Sequence, residues 1–328
     1  MAWRTLACVL AGLMTVAATP AIAQSSPNQS WPSRPIRWIV PYTPGGLTDA
    51  VTRLMAPKLQ DALGQPIAIE NRPGSNSIIG SEAIANAAPD GTTFGTVIAA
   101  YAANATLYAG KLPFDTEKSL VAVSLVGIAP LLLTTNLDFP PKDIRQLVAY
   151  AKANPGKLSF GSSGIGSAAH LTTELLKQTT GIDMQHVPYK GTAPALQGLI
   201  GGEIQILVDV PISLMPQVRG GKIRGQALFA GKRLAASGDV PTIVEAGGPP
   251  IEASTWVMFL APARTPADVV ARLSAETARI VATPEMRARF ESQGIEPIAG
   301  TPAEAAQFLR AEIAKWAKVI TTAGVKPE

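Results

Sequence analysis

Cysteine is nearly absent: the 328-residue chain carries one, Cys8. Histidine is almost as scarce, with His170 and His186 the only two. No H-E-x-x-H spacing occurs, so a zinc centre or a histidine-based catalytic triad has little to build from. Aromatic residues make up 5% of the chain and lie scattered, as do the methionines, so core packing is their default explanation. Charge is sparse too. The 28 basic and 24 acidic residues form no block of five or six and no basic run interleaved with aromatics, which argues against nucleic acid as a partner. After the first 23 residues there is no apolar run of the roughly 20 residues that a membrane-spanning helix needs.

Those first 23 residues read as a secretory signal peptide. Met1 to Arg4 carry one positive charge, Thr5 to Thr19 are almost wholly apolar or small, and Ala21-Ile22-Ala23 fits a small-x-small cleavage site before Gln24. The run is short for a membrane anchor, and Thr5-Leu6-Ala7-Cys8 is a poor and very early lipoprotein site. Cleavage removes Arg4 and Cys8, lowering the formal charge from +4 to +3 and leaving a cysteine-free mature chain for export. Such a chain must be stable in an oxidising compartment without a disulfide. Its 305 residues are enough to bury a large core, split between two domains. Gln24 to Ser30 read as a disordered leader.

What is present is organised around Trp38-Ile39-Val40-Pro41-Tyr42-Thr43-Pro44-Gly45-Gly46-Leu47-Thr48-Asp49. A β-branched run breaks into Pro-x-x-Pro-Gly-Gly and then into a helix, with Thr48 expected as N-cap and Asp49 in the first turn. The glycines allow close backbone approach, while the helix start directs unpaired N–H groups and positive dipole into the same space, a corner that attracts an anion. An ordinary βα turn is the alternative for the motif taken alone.

From Ile36 the pattern predicts strand 36–40, helix 48–63 with a kink or broken turn at Pro57, strand 67–70, a polar loop over 71–77, helix 78–87 and strand 93–100. Crossovers of helix length between short strands predict an α/β fold with mostly parallel sheets flanked by helices. An apolar run over 121–135 is expected to cross into a second domain. That domain continues with helix 143–153, strand 157–160, loop 161–167, helix 168–179, strand 184–187, loop 188–194, and strands 204–209 and 225–230. Strand 254–261 then returns, and the tail is helical with Pro266, Pro284 and Pro302 near helix starts. The expected division is residues 24–125, 126–232 and 233–328, the last segment rejoining the first. Polar loops follow strand ends repeatedly, where open α/β sheets bind ligands.

Catalytic motifs fail on their spacing. Gly164-Ile165-Gly166-Ser167-Ala168-Ala169 matches G-x-G-x-x-A formally, but no acid follows at the end of a strand about 20 residues on, and no G-x-x-x-x-G-K-[ST] occurs. Ser163 lacks the Gly-x-Ser-x-Gly elbow because Ile165 stands two residues after it. His170 opens a helix after a polar loop, either near a cleft or holding that loop. Asp209 ends an apolar strand as a turn acid or a ligand contact, and Lys190 after Tyr189 is a solvated charge or an anion clamp.

Together these segments resemble the Bug family, the periplasmic solute-binding receptors of tripartite tricarboxylate transporters. The resemblance rests on residues 35–49, Glu70-Asn71-Arg72-Pro73-Gly74, Ala88-Pro89-Asp90-Gly91, Gly161 to Ser167 with His170-Leu171, Val187-Pro188-Tyr189-Lys190-Gly191, and Asp239-Val240-Pro241-Thr242 with Glu245-Ala246-Gly247. It covers essentially the whole mature chain in order. It implies a two-lobed flytrap similar to type II periplasmic binding proteins, without catalytic residues, cofactor or metal. It further implies a monomer that passes a small aliphatic or aromatic carboxylate to inner-membrane transporter subunits. The ligand residues it implies on one side are Tyr42, Thr43, Pro44, Gly45, Gly46, Thr48, Asp49, Ser75 and Asn76. On the other side they are Ser162, Ser163, Gly164, Ser167, His170, Tyr189, Lys190, Gly191 and Asp209. Departures from the family pattern are Ser75-Asn76-Ser77 where relatives carry small, glycine-rich residues, Tyr42-Thr43 for Phe-Ala, and Val210 for Asn. The competing reading is a secreted serine hydrolase acting through Ser163 and His170.

Overall fold

The structure, a computed structural model, describes residues 31–327; the expected signal peptide and leader lie outside them. The chain opens β1 (Ile36–Val40), α1 (Leu47–Leu63), β2 (Ile67–Asn71), α2 (Ile78–Ala85), β3 (Thr93–Val97) and α3 (Ala99–Leu107). Three expectations are corrected. The N-cap of α1 is Gly46, with Thr48 buried in the first turn, and α1 runs unbroken across Pro57 to a left-handed C-cap at Gly64. The strand expected over 93–100 stops at Val97, and Ala99 starts a helix that the sequence pattern missed. Ala99-Ala100-Tyr101-Ala102-Ala103 is buried on every side, so it shows no amphipathic stripe, and alanine's helix propensity decides its state.

The chain continues β4 (Leu120–Pro130), β5 (Leu132–Thr135), α4 (Ile144–Ala153), β6 (Leu158–Ser162), α5 (Ala168–Thr180), β7 (Met184–Pro188), α6 (Thr192–Gly201), β8 (Ile206–Asp209), α7 (Pro211–Arg219) and β9 (Arg224–Leu228). It ends with β10 (Ser254–Pro262), α8 (Ala267–Val281), α9 (Pro284–Ser292), β11 (Glu296–Pro297) and α10 (Pro302–Ala323). Two sheets result, ordered β11-β4-β10-β3-β1-β2 and β7-β6-β8-β5-β9. Pairing is parallel across β1, β2 and β3 and across β6, β7 and β8, where helices make the crossovers. Strands β5 and β10 enter antiparallel, which makes both sheets mixed.

Only Leu131 separates β4 in the first sheet from β5 in the second. Three crossing segments are tied there by a ring of backbone bonds: Leu131 N–H to Ala253 O at 3.0 Å, Ala253 N–H to Phe229 O at 3.1 Å, and Phe229 N–H to Leu131 O at 2.8 Å. Strand alternation splits the apolar side chains of the second sheet between two faces. Leu133, Ile206, Val208 and Ala227 join a core continuous with the first sheet, while Leu132, Leu207 and Leu228 face a smaller cluster with Leu199 and Leu214. The last helix is pinned by Glu312, whose buried carboxylate accepts from the indole N–H groups of Trp256 and Trp316 at 2.8 and 2.9 Å.

Candidate functional site

Strands β1 and β3 are neighbours whose following helices start at their carboxyl ends, the place where open α/β sheets leave a crevice. The helices α1, α2 and α3 begin there at Gly46, Ser77 and Ile98, and none has a side-chain cap. By contrast Asp143, Ser167, Thr283 and Thr301 cap α4, α5, α9 and α10 with their own side chains. First-turn N–H groups are therefore left to other partners at the first-sheet corner.

Asp49 is engaged within its own loop. Its carboxylate is buried and accepts from Gly45 N–H at 2.9 Å, Arg53 Nε at 2.9 Å and Asn71 Nδ2 at 3.0 Å. Burial opposes its charge, but the Arg53, Gly45 and Asn71 bonds outweigh that cost and hold its carboxyl below the usual range. Asn71 also donates to Tyr42 O at 3.1 Å, so Asp49 and Asn71 together shape the loop that leaves Thr43, Pro44 and Gly45 exposed. At Gly45 φ is +87°, which only glycine adopts at little cost.

The neighbouring loop is strained: Ser75, Asn76 and Ser77 have φ of 45°, 50° and 76°, three successive non-glycine residues in the left-handed region at on the order of 1 kcal/mol each. Asn104 of α3, buried and not flagged by any sequence motif, holds this loop. Its Nδ2 donates to Asn76 O at 2.7 Å and its Oδ1 accepts from Asn76 Nδ2 at 2.9 Å. Ser77 occupies the N-cap position with a left-handed backbone and makes no cap bond; its buried hydroxyl closes no hydrogen bond. The buried Tyr42 hydroxyl, which lies near Ser77 and the Ile98 N–H, also closes none, and burial pushes its pKa well up. Asn104→Ala is expected to destabilise the chain by about 2 kcal/mol, because two bonds to a strained loop disappear together. Urea unfolding of the variant checks this.

The second-sheet residues form a tight cluster. Ser162, the last residue of β6, has a buried hydroxyl that bonds His186 Nε2 at 2.7 Å and folds back on Gly164, whose N–H lies at 3.1 Å. Ser167 caps α5 by accepting from His170 N–H at 3.2 Å. The His170 ring accepts the Gly166 N–H at Nδ1, 3.1 Å away, and stacks on His186 with ring centroids 3.8 Å apart. Burial, then the neighbouring His186 and Lys177, push His170 down to about 3; burial and Lys177 push His186 down to about 4. Asp209 is buried and accepts from Thr192 Oγ1 and Val210 N–H, both at 2.8 Å; burial nevertheless pushes its pKa up. Tyr189 packs on Gly161 and Gly198, and its hydroxyl meets Glu203 at 3.2 Å. Gly191, with φ +117°, leads into α6, which also lacks a side-chain cap.

The structure brings the two groups of loops together at Gly166, whose backbone packs against Leu107 and Asn76. Lys190 is exposed and makes no ion pair among the described residues. Ser163 makes no hydrogen bond to His170, whose Nδ1 is already taken, so the hydrolase reading loses its nucleophile–base pair. Among the described residues no three His, Asp or Glu side chains cluster to hold a metal ion, and no helix is long and apolar enough to cross a membrane. Surface cavities of about 240 and 360 Å³ share no residue with these loops.

Two mixed sheets with loops facing each other across crossing strands define the two-lobed α/β fold of periplasmic binding proteins. Solved members superpose closely. The Rpa4515 protein of R. palustris, solved with adipate, has a TM-score of 0.85 at 34% identity over 91% of this chain and 100% of its own. MatC (Rpa3494) from Rhodopseudomonas palustris, with bound malate, has a TM-score of 0.80 at 32% identity over 88% of this chain and 100% of its own. Protein BugT of Bordetella pertussis is 35% identical over 314 residues, 94% of this chain and 95% of that protein. Residues 51–325 match the model of the tripartite tricarboxylate transporter family receptor, and the chain belongs to that family. It is a solute-binding receptor of a membrane transporter and not an enzyme.

Proposed function

We propose that the chain captures a small organic carboxylate between two lobes and hands it to the inner-membrane subunits of a tripartite transporter. The lobes are residues 24–125 with 233–328, and residues 126–232. The chain reaches the periplasm through its first 23 residues and works as a monomer. The observation that carries the reading is the meeting, at one corner of the first sheet, of three helix starts without side-chain caps and two buried hydroxyls, those of Ser77 and Tyr42, that face each other and the Ile98 N–H. Such a corner supplies fixed neutral donors where an anion gains most from them. Charge-assisted bonds are worth roughly 1.5 to 3 kcal/mol each, so a handful accounts for a micromolar complex of about 8 kcal/mol. Relatives solved with adipate and malate support the same ligand class. Thr43, Gly45, Gly46, Ser75 and Asn76 line this side, and Ser163, Gly164, Tyr189 and Gly191 close from the other. Asp49, Ser162 and Asp209 act behind them by shaping the loops.

A thermal-shift screen over adipate, malate and aromatic carboxylates identifies a ligand, and calorimetric titration of three variants then tests the grip. Gly46 has φ −81° and nothing closer than 3.9 Å to an added Cβ, so Gly46→Val keeps the fold while obstructing the start of α1. Its affinity is expected to fall at least tenfold, about 1.4 kcal/mol. Lys190→Ala is expected to cost less, and Ser163→Ala to weaken binding by removal of one hydrogen-bond partner. Full affinity in Gly46→Val, or loss confined to Lys190→Ala, would place the carboxylate on a charge clamp instead.

A further inference from the structure

The chain's two imidazoles lie face to face, 3.8 Å apart with their planes 9° from parallel, and Phe160 stacks on His186 at 4.9 Å. Each ring is tied to a different part of one loop. His170 accepts the Gly166 N–H at Nδ1, and His186 Nε2 bonds the Ser162 hydroxyl, which in turn holds Gly164. Gly166 is the point where this loop packs against Leu107 at the end of α3 and Asn76 of the loop before α2. The shape of the loop and its contact across the cleft therefore pass through the imidazole pair.

We propose that His186 is a positioning residue for ligand capture: its stack on a neutral His170, with its bond to Ser162, holds the Gly164–Ser167 loop against Asn76 and Leu107, and protonation of the pair releases that loop. The importance for capture rests on the receptor reading above; the hold on the loop does not. A proton on His170 Nδ1 would set a donor against the Gly166 N–H, and a second cation would then lie in van der Waals contact with the first. Among the described residues, the charged groups facing the pair are Glu174 and Lys177, both on α5. Glu174 Oε1 lies 4.0 Å from His170 Nε2, and Lys177 Nζ pairs with the same carboxylate at 2.8 Å while sitting over Phe160. Glu174 is thus already neutralised and offers an imidazolium little. From β6 the pair meets only Phe160 and the Ser162 hydroxyl. Both imidazoles are held far below their ordinary 6.5, so the sign is fixed: neutral, closed loop above that value, and a growing open population as pH falls below it, where the freed rings take up protons.

The test uses the ligand-free mature chain labelled with ¹⁵N. Imidazole nitrogen shifts are expected to show both rings neutral at pH 6, and the Gly166 amide protection factor is expected to fall between pH 7.5 and 5.5 by about tenfold for each ring that regains an ordinary pKa, about a hundredfold when both are freed. His170→Asn with His186→Gln supplies carbonyl and amide groups in place of Nδ1 and Nε2 without a titrating ring. In that double variant protection is expected to stay flat with pH. His186→Ala is expected to lower Gly166 protection already at pH 7.5. Rings that titrate near 6.5 in the wild-type fold, a measurement needing no variant, would overturn the proposal, as would the same pH-dependent fall in the double variant. If adipate serves as probe, its affinity is expected to weaken over the same interval. An absence of adipate binding at every pH counts against that ligand alone, because the loop measurement contains none.

Discussion

Gly80→Ala is expected to destabilise the folded chain by about 3 kcal/mol or more, at the upper end of what forced overpacking costs. Gly80 lies in the first turn of α2, and a Cβ there would come 2.6 Å from both Cα and Cβ of Pro41 and 2.8 Å from the Arg72 carbonyl oxygen. These are mostly backbone atoms, one at the start of the Tyr42–Gly46 loop and one at the start of the Ser75–Ser77 loop, so no side chain can turn aside. The helix must move away from both binding loops, and ligand affinity is expected to fall with stability. Gly201→Ala is the matched control: it also replaces a helical glycine, but nothing stands within 4 Å of the new Cβ. That change is expected to stabilise by about 0.5 kcal/mol through the unfolded chain's lost freedom. Guanidinium unfolding midpoints of the two variants decide the matter, and a near-neutral Gly80→Ala would mean that α2 is free to shift.

Asp49→Ala is expected to cost about 3 kcal/mol, since it strips a buried carboxylate from three donors and leaves Gly45 N–H and Asn71 without their acceptor. The Arg53 contribution is discounted because that side chain is half exposed and solvent screens it. The pH dependence gives a second reading. The folded pKa of Asp49 is lowered, so its contribution is fully present above the ordinary 3.8 and is lost as pH falls through the folded value. The stability gap between wild type and variant is therefore expected to be full at pH 7 and to narrow below pH 3.8, measured by unfolding at stepped pH. A gap independent of pH would show that the side chain acts through packing and not charge. Calorimetry on Asp49→Ala should also show weaker carboxylate binding, because the loop around Gly45 loses the bond that fixes it.

The alternation of short β-branched strands with helices of crossover length was enough to read the two α/β sheets from the sequence, since period and turn chemistry are local properties. Helix boundaries marked by Gly64, Asp143, Pro284 and Pro302 fall where their backbone preferences put them. The Pro44-Gly45-Gly46 corner was legible for the same reason, as was the receptor family through its ordered motifs. Other features depend on what lies across space. Helix α3 escaped because a run buried on all sides has no polar face to set its period, and with it went Asn104 and Leu107, which hold one loop and meet the other. The bonds of Asp49 to Asn71, 22 residues away, and to Arg53 could not be read from the chain, because they depend on how the loop folds back. Ser162 and His186 stand 24 residues apart and meet only because β6 and β7 pair in parallel. The sequence thus determined which segments fold and where a strand breaks into a glycine turn and a helix start, because those follow from neighbours along the chain. Which polar side chains on these loops are taken up by partners within the chain was decided by tertiary packing, because that depends on what each buried polar group finds opposite it.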